Sequence, residues 1–431
     1  MSQSQIATTS LEKERILENL ILLPREELYQ LSQTMDMKLS PSRSKAQILL
    51  EICKAHIQQG ERLEGTCILE LNGDGSGYMR WEAYNFLPTV LDIYVSANFI
   101  RRYKLRTGLK IRGCMRTPRD SREKYLALDQ IIEIEGIPLT QWVDPKPFDL
   151  LTPLFPKERL ILEHSGEDAE SGRIIDLIAP LGKGQRGLII APPRVGKTIL
   201  LKQIAKALSI NYPKVKLIVL LIDERPEEVT DIEREVNASV YSSTFDESPA
   251  RHIQVAELVL ERAKRLVELG HDVIILLDSL TRFARGRNNT QPGKGRLLSG
   301  GVDSKALLKP KKFFGAARNV EEGGSLTILA SVLVDTGSRM DEVIFEEFKG
   351  TGNMEIHLDR SLVERRIYPG IHILQSGTRK EDLLYHPDEL RRIYILRKQL
   401  SAIPPVEALE VLLRNVQHTS SNTELLLTGL R

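Results

Sequence analysis

The chain has little cysteine, no long apolar run and almost no net charge. Three cysteines stand in 431 residues, at Cys53, Cys67 and Cys114, with no C-x-x-C spacing. That scarcity argues against a disulfide framework and a zinc site, and fits a reducing cytosol as the expected location. The longest apolar runs, residues 217–222 and 273–277, are strand-length, well short of the roughly 20 residues needed to span a bilayer. Residues 1–10 are polar and lack an apolar stretch behind a basic start, so neither a secretory signal nor a membrane partner is expected. Lys and Arg number 60 against 58 Asp and Glu, a net charge of +2, so any nucleic-acid surface must be a local concentration of cations. There is no internal repeat and no low-complexity tract. What is present is an ordinary globular composition, 41% hydrophobic and 27% charged, in a chain too long for a single hydrophobic core.

Three textures divide the chain. Residues 11–60 carry helical periodicity through Leu17, Leu20, Ile21, Leu28, Leu31, Ile48, Leu49 and Ile52, with Ser44 and Gln47 spaced as a capping box and Gly60 as the stop. A small helical bundle is expected there. Residues 61–140 change to about five short strand-like runs separated by Gly, Asn and Asp, the texture of a small OB-like or cold-shock-like barrel. Residues 141–170 form a linker in which Pro145, Pro147, Pro153 and Pro156 oppose regular structure. From 171 to 431, apolar strands alternate with amphipathic helices, as in a parallel α/β sheet.

The segment Ala191-Pro192-Pro193-Arg194-Val195-Gly196-Lys197-Thr198 follows an apolar strand and opens a helix beginning near Ile199. This is the setting of a P-loop, in which backbone amides cradle phosphates, Lys197 neutralises β/γ charge and Thr198 holds Mg²⁺. Ala191 replaces the first glycine of the usual pattern. Two further apolar strands end in acids, one in Asp223-Glu224-Arg225 and one in Asp278. Ligands of open α/β sheets sit at the carboxyl ends of strands, so both acids should face the loop. Asp278 suits the Mg²⁺ side and Glu224 suits the group that orients or deprotonates an attacking water. Each acid alone also fits a helix cap; the pair beside a P-loop reads as ATP hydrolysis.

Ring ATPases complete such sites with an arginine from the next subunit, and Arg366 and Arg379 are two candidates, although exposed arginines are more often solvated. The glycine-rich stretch 293–312, with Arg296, Leu297 and Lys305, and the short loop 336–340, with Arg339, suit flexible grips on a nucleic-acid backbone. A mobile basic surface loop fits the same residues. In the barrel region, Tyr78, Arg80 and Tyr94 mix rings with cations, as single strands require, while tyrosines in a barrel also serve as core.

Taken together, residues 188–198, 220–229, 298–303, 313–326, 335–344 and 376–381 resemble the Rho family, hexameric RNA-dependent ATPases that terminate bacterial transcription. The resemblance runs from about Leu17 to about Val416. It implies a helical bundle, an OB-like RNA-binding barrel and a RecA-like motor, acting as a 5′-to-3′ RNA translocase and helicase in a homohexamer. The implied partners are C-rich single-stranded RNA and the RNA polymerase elongation complex; the implied cofactors are ATP and Mg²⁺.

By position, the resemblance implies base contacts at Tyr78, Arg80, Tyr94 and Tyr125. It implies nucleotide contacts along Pro193, Arg194, Val195, Gly196, Lys197, Thr198 and Ile199, with Asp278 on the metal and Tyr368 against adenine. Glu224 matches the catalytic glutamate and Arg225 its neighbour at the γ-phosphate. Arg379 matches the finger and Arg366 an arginine coupling subunits. Arg296, Leu297, Lys305 and Arg339 match the channel loops. Ser76 departs from the family's usual aromatic, while Arg296 and Arg339 stand where Lys is common, keeping the cation. Two rivals differ in testable ways: another RecA-like ring ATPase, of rotary or protein-export type, would not respond to RNA, and an RNA-binding protein with a relic P-loop would not hydrolyse ATP.

Overall fold

The computed structural model describes residues 17–40, 42–119, 123–166, 168–291 and 299–430. The chain separates into two compact units, Met1–Pro145 and Lys146–Arg431. Among the described residues no helix is long and apolar enough to cross a membrane.

The first unit begins with helices α1 (Leu17–Leu22), α2 (Arg25–Thr34) and α3 (Lys45–Gln58). Ser44 caps α3 as its spacing predicts: Gln47 N donates to Ser44 Oγ at 3.3 Å and Ser44 N donates to Gln47 Oε1 at 3.0 Å. Six strands follow: β1 (Glu64–Leu71), β2 (Gly77–Arg80), β3 (Ile93–Val95), β4 (Lys110–Arg116), β5 (Leu126–Ile134) and β6 (Ile137–Pro138). A short helix, α4 (Ala97–Arg102), lies between β3 and β4. The sheet runs in the order β3-β2-β1-β4-β5-β6, and a parallel pairing of β3 with β5 closes it into the expected barrel. Sequence texture separates the helices from the barrel near residue 60, yet their apolar faces meet in one core. Leu17, Leu28, Ile48 and Ile52 pack in the same cluster as Cys67, Met79, Trp81 and Ile111.

The second unit starts with the proline-rich connector. Contrary to expectation, the prolines do not keep it irregular: β7 (Pro153–Leu154) pairs with β14 (Arg318–Val320), and β8 (Arg159–Leu160) pairs with β9 (Leu181–Gly182). Pro153 is tolerated because it opens a two-residue strand at the sheet's periphery, where a missing N–H costs little. Beyond α5 (Ala169–Ile178) stands a largely parallel sheet of β10 (Arg186–Ala191), β11 (Lys216–Glu224), β12 (Ser239–Thr244), β13 (Asp272–Asp278), β15 (Ser325–Leu333) and β16 (Met354–His357). The antiparallel edge strand β17 (Gly377–Thr378) ends it, in the order β12-β11-β13-β15-β10-β16-β17. The central strands are apolar throughout because helices cover them, among them α6 (Lys197–Asn211), α7 (Pro226–Glu235), α8 (Pro249–Glu268) and α9 (Leu280–Asn289). The chain then continues through α10 (Leu308–Gly315), α11 (Arg339–Lys349) and α12 (Arg360–Glu364). It finishes with α13 (Pro387–Leu400), α14 (Pro405–Gln417) and α15 (Asn422–Thr428). Every strand-end residue singled out from the sequence therefore lies at one carboxyl edge of this sheet.

Candidate nucleotide and nucleic-acid sites

Strand β10 ends at Ala191 and α6 starts at Lys197, so the phosphate loop occupies the turn between them. Left-handed backbone at Arg194 (φ 66°) and Gly196 (φ 82°) wraps this turn around the helix N-terminus, where successive amides form an anion-binding concavity. Lys197, with only 13% of its side chain exposed, is ion-paired to Asp278, which is 1% exposed. Asp278 Oδ1 also accepts from Ser331 Oγ at 2.8 Å, while its Oδ2 is buried with no hydrogen-bond partner. A buried carboxylate oxygen left in this state is an acceptor for a metal-bound water or a cation, so the residues fit a Mg²⁺ ion. Among the described residues no group of three or more His, Cys, Asp or Glu side chains could hold a metal. Asp278 and the Thr198 hydroxyl are the groups that would share such an ion with a nucleotide's phosphates.

Glu224 is 3% exposed at the end of β11. A register shift between Ile222 and Glu224, with Asp223 at φ 58°, lets the strand end carry the glutamate inward instead of following strict alternation. Burial first, and then the Asp278 carboxylate, push Glu224 above the usual carboxylate range, and Arg282 and Lys197 pull it back. Arg282 was not singled out from the sequence. It projects from the first turn of α9, with Nη1 3.8 Å from Glu224 Oε1 and 3.9 Å from Asp223 Oδ2. Its only sequence signal is its place four residues after Asp278. Arg225 is exposed and caps α7, with its amide donating to Glu224 Oε1 at 3.2 Å.

Beside the loop, a cavity of about 180 Å³ is lined by Gly196, Ile199, Gln203, Ser171 and Tyr368. Ile199 and Tyr368 are 55% and 47% exposed, two apolar faces that suit a flat heteroaromatic ring. Arg366 and Arg379 are both exposed and lie on separate segments, Arg366 with φ 63° just before Tyr368 and Arg379 directly after β17. Neither has an acidic partner within salt-bridge distance among the described residues. The Arg379 amide donates to Asn353 O at 2.9 Å, and the Asn353 side chain in turn takes bonds from Gln185 and the Arg186 amide. Non-glycine residues rarely adopt positive φ, and their concentration at 194, 223, 335 and 366 marks this edge of the sheet as held in shape by its surroundings.

The two loops expected to touch nucleic acid pack on one another. A Cβ on Gly300 would lie 2.7 Å from Arg339 O and 2.9 Å from Met340 N, so only glycine at φ 72° fits there. Arg339 is exposed at the start of α11, and Lys305 is exposed with its amide bonded to Asp303 at 2.8 Å. Arg296 and Leu297 lie outside the described residues. Helix α9 touches both loops: Arg285 is bonded to Asp341, and Asn288 bonds Gly301 O and the Asp303 amide.

On the barrel, Tyr78 is the centre of a ring cluster, with Tyr94 at 5.9 Å and Tyr125 at 5.1 Å, both edge-on. Tyr78 and Tyr94 oppose each other across β2 and β3. Arg80 lies 5.0 Å from the Tyr78 ring centroid, but it is not a free cation: its side chain is 11% exposed and pairs with Glu70 and Asp92. Its charge is already answered, so it orders the ring cluster as much as it offers charge to a strand. Ser76 is 5% exposed, donating to Asp74 Oδ1 at 2.7 Å and sealing the turn between β1 and β2.

Comparison with known proteins agrees with this division. Residues 64–139 match the family described as "Rho termination factor, RNA-binding domain", and residues 172–378 match "ATP synthase alpha/beta family, nucleotide-binding domain". The transcription termination factor Rho of Akkermansia muciniphila is 53% identical over 408 residues, spanning 95% of this chain and 86% of that protein. The factors of the same name from Aquifex aeolicus and Pseudomonas aeruginosa are each 51% identical, over 93% of this chain and 92% and 96% of theirs. Among solved structures, an ATPase from the type III secretion system of pathogenic bacteria superposes with a TM-score of 0.55 at 22% identity, over 66% of this chain and 87% of that one. An ATP synthase subunit from Nanoarcheaum equitans gives 0.51 at 20% identity, over 67% and 71%. At that identity the two share the motor's fold and nothing finer.

Proposed function

This chain belongs to the transcription termination factor Rho family, and on that premise we propose that it moves along single-stranded RNA, powered by ATP hydrolysed at this sheet edge between neighbouring subunits of a homohexamer. The observation that carries the reading is the Lys197–Asp278–Glu224 arrangement: one cation from the first residue of α6 and two buried carboxylates from the ends of β11 and β13, converging on one phosphate loop. A glutamate desolvated and set beside Asp278 is placed to accept a proton from water. Lys197 turns from Asp278 to the β- and γ-phosphates when nucleotide enters. Thr198 and Asp278 would hold Mg²⁺, whose charge offsets that of the phosphates. Arg225 lies next to Glu224 and reaches the γ-phosphate, while Ile199 and Tyr368 sandwich the base.

The remaining positive charge comes from the next subunit: Arg379 as the finger, with Arg366 linking subunits across the same boundary. Single-stranded, C-rich RNA loads on Tyr78, Tyr94 and Tyr125, with Arg80 ordering the rings, and its 3′ continuation meets Arg339, Lys305, Arg296 and Leu297. Translocation 5′ to 3′ then draws the transcript from the RNA polymerase elongation complex, in the cytoplasm. Replacing Arg379 with Ala tests the finger: turnover is expected to collapse while ATP still binds, and equal loss of binding contradicts it.

A further inference from the structure

The finger assignment leaves open what aims Arg379, which is exposed at the end of a two-residue strand. On its N-terminal side the backbone is pinned. Thr378 Oγ1 donates to Pro180 O at 2.8 Å and the Arg379 amide to Asn353 O at 2.9 Å. On its C-terminal side Glu381 is gripped by Arg397 at 2.7 and 2.8 Å, and Arg397 also donates to Leu177 O. Lys380 alone lies between the two anchors, with left-handed backbone at φ 55°. The peptide plane joining Arg379 to Lys380 turns with ψ of the first and φ of the second. Whatever holds Lys380 in its rare conformation therefore also sets the direction in which Arg379 leaves the chain.

Lys380 bears no acidic partner within salt-bridge distance among the described residues. Its ammonium instead lies 3.4 Å from the centroid of the Phe155 ring, which belongs to the connector. The connector is itself fixed on this part of the motor. A Cβ on Gly182 would lie 2.9 Å from Pro156 and 2.7 Å from Leu384, and Arg159 pairs with Glu389 at 2.7 Å while covering the Tyr385 ring at 4.9 Å. Phe155 is 55% exposed, so apolar burial alone gives no reason for an aromatic at this position. A ring face beneath a cation supplies one.

We propose that Phe155 is a positioning residue for hydrolysis: its ring anchors the Lys380 ammonium, and through the shared peptide plane it aims Arg379 at the neighbouring subunit's nucleotide. The inference rests on the reading of Arg379 as the finger.

RNA-stimulated ATP hydrolysis by the full-length chain decides it, using Phe155→Leu, Phe155→Trp, Arg379→Ala and the Phe155→Leu/Arg379→Ala pair. Phe155→Leu keeps an apolar side chain without a π face. It is expected to lower kcat about fivefold, the loss of one exposed cation–ring contact, with KM for ATP and RNA affinity unchanged. Phe155→Trp restores the rate, and the double variant is no slower than Arg379→Ala alone. Wild-type kcat in Phe155→Leu, or losses that multiply in the double variant, overturn the positioning role. Wild-type turnover in Arg379→Ala removes the finger itself and this inference with it, whatever Phe155→Leu does.

Discussion

Arg285 forks onto Asp341, with Nε 2.7 Å from Oδ1 and Nη2 on Oδ2, and thereby ties helix α9 to the loop that carries Arg339. Asp341 is 1% exposed and also accepts from Thr336 Oγ1 at 2.7 Å. At its other end α9 begins two residues after Asp278, with Ser279 as its cap and Arg282 beside Glu224. One helix of ten residues thus spans from the paired carboxylates at 224 and 278 to both candidate RNA loops.

If that helix transmits RNA contact to the site, Arg285→Lys should weaken it without emptying the salt bridge. Lys keeps the charge and loses the bidentate fork. The expected outcome is a several-fold drop in RNA stimulation with KM for ATP unchanged. The check is ATPase rate against RNA concentration, and unaltered stimulation would contradict the coupling.

If Glu224 is the general base proposed above, it should give the rate its acid limb. A general base works only when ionised, and burial places its protonation above the ordinary carboxylate range, so kcat falls as pH drops through that raised value. Arg282 opposes the shift, so Arg282→Gln should move the limb to higher pH. A pH profile of kcat between about pH 5 and pH 8 reads this directly; a limb that stays in place would exclude Arg282 from that role.

Much of this site was legible in the sequence because it is written in local patterns. A strand, a turn containing Gly196-Lys197-Thr198 and a helix are consecutive in the chain, and the acids at 224 and 278 each end an apolar run. The Ser44 capping box was equally local. What escaped depends on tertiary neighbours. Arg282 reads as one more helix arginine until α9 is set against β11. Arg80 reads as a free cation until Glu70 and Asp92 close on it from adjoining positions of the barrel. The connector was expected to be irregular from its prolines, but Pro153 sits where a strand can accept it. Arg296 and Leu297 lie outside the described residues, so their placement adds nothing to either reading.

Asp176 makes stability depend on pH. It is fully buried, accepts from the Leu162 amide at 2.9 Å and the Glu163 amide at 2.8 Å, and burial pushes it from 3.8 to about 7. A carboxyl whose folded pKa is raised binds its proton more tightly in the folded chain. Its contribution is therefore complete below about pH 4 and is lost as pH rises through about 7. Asp176→Asn keeps an acceptor and removes the titration. The melting temperature of wild type relative to this variant is thus expected to fall between pH 5 and pH 8, and a flat difference would contradict the assignment.

The most direct measurement is steady-state ATP hydrolysis by the purified chain alone, with poly(C) RNA, with poly(U) RNA and with single-stranded DNA. Strong activation by poly(C) and little by DNA is the predicted result, and it would show that a buried Ser76 leaves enough of the tyrosine cluster to select RNA. Hydrolysis indifferent to RNA, or none under any condition, would contradict an RNA-driven motor.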